Sequence, residues 1–138
     1  MKISYAITVC NELEEITNLL NFLQTNIKED DEIVIQYDEG GVTDSVLDYL
    51  KLMDKMHSNH KVVGFPLNKD FASFKNNLKS HCTKDYIFQI DADEIPHESL
   101  VEVINEVLDT NSPLWDIQLN EIKKKEELPE KRIGHRAA

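Results

Sequence analysis

Short runs of β-branched and aromatic residues alternate along this chain with apolar stripes of helical period, and that alternation narrows the possible folds more than any other feature. Ile3, Tyr5, Ile7 and Val9 mark a first strand that ends at Cys10-Asn11-Glu12. Asn11 then fits a helix N-cap with Glu14 three residues on, and Leu13, Ile16, Leu20 and Leu23 form the helix's buried face. Residues 32–37 read as a second strand, Asp38-Glu39-Gly40-Gly41 as a tight turn using positive φ at glycine, and Val46, Leu47, Leu50 and Met53 as a second helical stripe. A third strand over 61–65 closes at Pro66, and Phe71, Phe74, Leu78 and Cys82 predict a third amphipathic helix leading to a strand over 86–90. Leu100, Val103, Ile104, Val107 and Leu108 predict a fourth helix, and 115–119 a fifth strand. Strands and helices in this order imply right-handed βαβ crossovers, hence an α/β fold with a mostly parallel sheet and helices on both faces. The domain is expected to span 1–119, with 120–138 a charge-rich stretch without apolar period, read as a solvated helix end and loose tail.

Ligands of such sheets sit outside the carboxyl ends of the strands. Those ends carry Thr8 to Glu12, Asp38-Glu39 and Asp91-Ala92-Asp93-Glu94, so polar residues collect along one edge. Three carboxylates within four positions at the tip of a buried strand repel one another unless a cation sits among them. If the strand stops at Asp91, the chain beyond it can curl so that Asp91 and Asp93 face one site. Hard oxygen ligands suit Mg²⁺ or Mn²⁺, which keep several waters and bind through one or two carboxylates plus substrate phosphates. The alternative is a solvated acidic turn ahead of a helix that follows Pro96. His97 lies near Asp93 in sequence but reads as a residue of that helix start, and His57, His60 and His81 as solvated spectators.

Composition excludes several classes. A chain of 138 residues, 41% hydrophobic and 30% charged, has room for one core. Its net charge of -11 leaves no basic patch for nucleic acid or an anionic membrane. It does not argue against a nucleotide, whose few phosphates one metal ion can meet. No run approaches the roughly 18 apolar residues of a membrane span. Cys10 and Cys82 form neither a disulfide framework nor a zinc site, so a cytoplasmic location is expected. The dinucleotide, P-loop, nucleophile-elbow and H-E-x-x-H motifs are all missing.

Taken together, Thr8-Val9-Cys10-Asn11-Glu12, Asp38-Glu39-Gly40-Gly41-Val42-Thr43-Asp44 and Phe88-Gln89-Ile90-Asp91-Ala92-Asp93-Glu94 resemble the family 2 glycosyltransferases of GT-A fold. In that family the corresponding segments run roughly P-x-Y-N-E, D-D-G-S-T-D and L-D-A-D-D. Asn68-Lys69-Asp70 and Phe74-Lys75-Asn76 resemble its N-x-G and A-R-N segments. The resemblance implies a nucleotide-sugar donor, with Thr8 and Asn11 lining the nucleotide pocket and Asp38 contacting the base. It further implies Lys75 near the phosphates or base, Asp91 facing the ribose or metal shell, and Asp93 coordinating Mn²⁺ or Mg²⁺ at the diphosphate. Each residue also has a structural reading: Asn11 as a cap, Asp38 in an Asx-turn, Asn76 satisfying buried backbone, Lys75 as a solvated helix residue.

The sequence departs from the family at Cys10, where an aromatic or small residue is common, and at Asp70 and Leu78, where glycine is. Lys75 stands where the family often has arginine, without its bidentate fork. Most of the family's acceptor half, which follows the D-x-D segment, is expected to be missing here. Glu121 is the one nearby carboxylate to nominate, and no catalytic base is identified. A non-catalytic nucleotide-sugar-binding module or truncated transferase is the alternative reading, with a nucleotidyltransferase behind it. The sugar, the acceptor and the oligomeric state are not specified by these residues.

Overall fold

Odd-numbered residues of the first strand, β1 (Ile3–Val9), face one layer of helices and even-numbered residues the other, so both sides of the sheet are covered. The computed structural model describes residues 2–93 and the backbone of 122–124. Along the described chain, α1 (Leu13–Asn26), β2 (Glu32–Asp38), α2 (Asp44–Met56), β3 (His60–Phe65), α3 (Phe71–Ser80) and β4 (Tyr86–Asp91) follow β1, and β5 (Ile122–Lys124) comes last. The expected fourth helix, the expected strand over 115–119, Glu94, Pro96, His97 and Glu121 lie outside the described residues.

The sheet order is β3-β2-β1-β4-β5, with the first four strands parallel and β5 antiparallel to β4. The chain steps outward from β1 through β2 to β3 and then returns to the other side of β1. The order therefore reverses between β1 and β4, where a crevice opens at the strands' carboxyl ends. On one face Ile3, Tyr5, Ile7, Ile33, Ile35, Phe88 and Ile90 pack with Ile16, Leu19, Leu20 and Leu23 of α1 and Val46 and Leu50 of α2. On the other, Ala6, Val34 and Ile87 pack under Leu78 and Cys82.

That second face is partly polar. Ser4 and Thr83 bond the buried Glu32 carboxylate, and Gln36 donates to the Phe74 carbonyl at 2.7 Å while accepting from Asn77 at 2.8 Å. These bonds fix α3 on the sheet by satisfying polar groups that burial would otherwise leave unpaired.

Several expectations need correction. Helix α1 begins at Leu13, with Glu12 and not Asn11 at the N-cap: the Glu12 carbonyl accepts from the Ile16 N–H at 2.9 Å, and its carboxylate reaches back to the Cys10 N–H at 2.8 Å. Leu13 and Phe71, assigned to buried stripes, are 38% and 61% exposed, each at the first position of its helix, where the turn that would precede it is missing. His60 is buried and not a solvated spectator, because it opens β3 beneath α1 and α2. Neither Gly40 nor Gly41 has positive φ. Gly41 serves a close approach instead: a Cβ there would lie 2.6 Å from Cys10 Sγ. Within the stretch read as a loose tail, Ile122–Lys124 pairs along the edge of β4 that β1 leaves free.

Candidate functional site

Thr8, Asp38 and Asp91 arise from the same periodicity. Each lies on the α3 face of its strand, at or next to the carboxyl end, with Thr8 directly opposite Asp91 in the β1–β4 register. The Thr8 hydroxyl donates to Asp91 Oδ1 at 2.7 Å. From α3, the buried Lys75 places its Nζ 3.3 Å from the same oxygen. The Ala92 N–H bonds the Thr8 carbonyl at 3.0 Å, so the ladder continues one step past Asp91 before the chain turns and leaves Asp93 exposed.

Asp38 organises the opposite wall. Its Oδ1 accepts from the Gly40 N–H at 3.0 Å and from the Leu67 N–H at 3.1 Å, tying the loop between β3 and α3 to the end of β2. Asn68 and Lys69 in that loop adopt left-handed backbone, φ 48° and 60°. Asp70 then caps α3 through the Ser73 N–H and hydroxyl, which hold its carboxyl below the usual range. Burial, reinforced by the nearby Asp38 and Glu12 carboxylates, pushes the Cys10 thiol up, so it stays protonated and unreactive at neutral pH.

These walls enclose a cleft of about 610 Å³ lined by Thr8, Cys10, Glu12, Asp38, Lys75, Asp91 and Asp93, with Leu67, Phe71 and Phe74 as its apolar part. Of the residues singled out from sequence, Thr8, Asp38, Lys75, Asp91 and Asp93 converge there. Asn11 does not line it; it is exposed between Cys10 and Glu12, which do. Glu12 and Phe71 were missed. Glu12 stands in the strand-end motif itself, whereas nothing local separates Phe71 from a core position.

Among the described residues no three His, Cys, Asp or Glu side chains converge as a cation cage. Asp91 and Asp93 offer hard carboxylate oxygens, too few to strip a divalent ion of its shell. Such a donor set fits Mg²⁺ or Mn²⁺ held together with a phosphorylated ligand and water. The Asn76 Oδ1 is buried without a hydrogen-bond partner among the described residues.

Four parallel strands with helices on both faces and an acidic cleft at the reversal of strand order make an α/β protein, and the similarity to solved structures places its fold in the GT-A class. The chain belongs to glycosyl transferase family 2, whose domain matches residues 4–132. Its fold is similar to that of S. aureus TarS 1–349 (TM-score 0.68, 20% identity, 80% of this chain and 33% of that one). The same protein in complex with UDP-GlcNAc aligns with TM-score 0.65 at 20% identity, over 80% of this chain and 32% of that one. Mannosyltransferase PcManGT from Pyrobaculum calidifontis, in complex with GDP-Man and Mn²⁺, aligns with TM-score 0.63 at 16% identity, over 76% of this chain and 32% of that one. The chain thus covers about a third of each of these structures, 32 to 33%. No curated protein sequence gives a significant match.

Proposed function

We propose that the cleft binds a nucleoside-diphospho-sugar together with Mn²⁺ or Mg²⁺ and serves transfer of the sugar to a hydroxyl acceptor. The observation that carries this reading is the convergence of Thr8, Asp38, Lys75, Asp91 and Asp93 on one cleft at the switch point of the sheet. Family membership supports the reaction class, and the donors bound by the TarS and mannosyltransferase structures support the ligand class.

In this reading Asp38 and the loop it anchors meet the base, Thr8 lines the nucleotide pocket, and Asn11 contributes from its exposed position beside it. Lys75 faces the phosphates, and Asp91 orients toward the ribose or the metal shell under the grip of Thr8 and Lys75. Asp93 would hold the divalent ion, with Asp91 beside it. When bound, that ion would neutralise the charge that builds on the diphosphate oxygens as they leave. The acceptor oxygen bonds to the anomeric carbon, the bond from that carbon to the diphosphate breaks with its electron pair on the phosphate oxygen, and the hydroxyl proton passes to a base. A cytoplasmic setting fits the free thiols of Cys10 and Cys82, and no described helix is long and apolar enough to cross a membrane.

The test is calorimetric titration with a panel of nucleoside diphosphates, with and without Mn²⁺. Metal-dependent binding that Asp93→Ala abolishes while circular dichroism stays native is the expected result. Failure to bind any nucleoside diphosphate overturns the reading, and binding indifferent to the ion removes the metal from it.

A further inference from the structure

Phe71 is 61% exposed although it lines the cleft, which is costly for an aromatic side chain unless something apolar or flat covers it. Its backbone is not loose. Asp38 pins Leu67 four residues before it, and Asp70 immediately before it caps α3. The other aromatic residue of the lining, Phe74, is 5% exposed and packs its ring 6.3 Å from that of Phe65. Among the described residues of the cleft, Phe71 is therefore the one aromatic face left open to a ligand.

Its position follows from helical spacing. Lys75 stands four residues on, so ring and ammonium share one side of α3, and the ammonium continues to Asp91 at 3.3 Å. Along this wall a ligand meets an aromatic ring, then a cation, then the paired carboxylates. Asp38 and the small side chain of Cys10 line the same cleft, and Asp38 bonds the Leu67 N–H of the loop that leads into Phe71.

We propose that Phe71 is the stacking platform for the nucleobase of the bound nucleoside diphosphate, an inference that rests on the nucleotide-binding reading above. The phosphates must lie toward Lys75 and Asp93, which leaves the planar end of the ligand at the Asp38 side, beneath Phe71. Every base has a π-face, so the platform contributes affinity without choosing among bases. Selection then falls to the polar groups around Asp38.

The experiment compares wild type, Phe71→Ala and Phe71→Trp in titrations with UDP, GDP and ADP, and with inorganic pyrophosphate, all in Mn²⁺. Phe71→Ala is expected to weaken all three nucleotides about tenfold, leave pyrophosphate unchanged and leave the melting temperature intact because the ring is exposed. Phe71→Trp is expected to keep or improve nucleotide affinity. Unchanged nucleotide affinity in Phe71→Ala, alongside loss in Asp93→Ala, overturns the platform and leaves the nucleotide site standing; so does an equal loss for pyrophosphate. A wild-type protein that binds none of the nucleotides overturns both.

Discussion

Thr8 and Asp91 sit opposite each other in register, and the threonine hydroxyl donates 2.7 Å to the aspartate's Oδ1. The bond joins the two strands between which the sheet order reverses, so the carboxylate at the floor of the crevice is oriented before any ligand arrives. Thr8→Val keeps the shape and removes the donor. The expected result is a stability loss of about 1 kcal/mol in urea denaturation and roughly tenfold weaker nucleoside diphosphate binding in Mn²⁺. Unchanged affinity would show that Asp91 needs no such orientation.

Lys75 approaches the same oxygen from α3 at 3.3 Å. Because the Asp91 side chain is 42% exposed, water takes over part of the screening when the ammonium is removed. Lys75→Met is expected to cost only about 1 kcal/mol of stability and to weaken diphosphate binding by about tenfold or more, while Lys75→Arg retains most of it. Titration with pyrophosphate and with UDP reads the difference directly.

His60 sets an acid limit on stability. Its Nε2 lies 3.0 Å from the Gln24 amide nitrogen, which can only donate, and its Nδ1 lies 2.7 Å from Asn59 Oδ1, so the ring is held neutral. Burial, with help from the stacked His57 and against the pull of Asp54, pushes it down from 6.5 to about 4. The unfolded chain therefore takes up a proton between pH 6.5 and about 4 that the folded chain refuses, and stability falls as pH drops through that window. Burial raises the Glu32 carboxyl, but hydrogen bonds from Ser4 and Thr83 outweigh it and hold it below its usual range, so its contribution is lost at still lower pH. Asp31, raised by burial, acts in the opposite sense. Urea midpoints measured across pH 7 to about 4.5 should slope less in His60→Gln than in wild type; parallel slopes would remove His60 as the cause.

Gly64 lies opposite Tyr37 in the β2–β3 register, and a Cβ on it would come within 2.6 Å of the tyrosine ring. The ring lies over the glycine, and a rigid aromatic side chain has little room to give. Gly64→Ala is expected to destabilise by about 1 to 3 kcal/mol. Thermal melts of Gly64→Ala and of the double variant with Tyr37→Ala test this: the second substitution should cost much less in the Gly64→Ala background than alone.

The order of elements was legible in the sequence, as was the gathering of most of the candidate residues in one place. Period-two runs and helical stripes are set by which side chains must leave water, and for β1 to β4 and α1 to α3 these patterns match the observed spans to within three residues. The carboxylates at strand ends were equally legible, because a parallel sheet sends its ligands to that edge. Asn11 and Phe71 were misread for one shared reason: each lies where an element begins. Whether Glu12 or Asn11 caps α1 depends on which carbonyl takes the first helical bond, and whether Phe71 is covered depends on what packs against the first turn of α3. Local sequence carries neither fact.

By itself, the sequence determined the alternation of strands and helices, the parallel sheet they require and the gathering of polar residues at its carboxyl edge. Only the tertiary structure decided that Thr8 and Lys75 share one oxygen of Asp91, that Asp38 ties down the loop leading into Phe71, and that His60 is buried. Those outcomes turn on register, on crossover placement and on contacts between residues up to 83 positions apart. Periodicity constrains which face a side chain takes, whereas the partner it meets there is settled only when the whole sheet assembles.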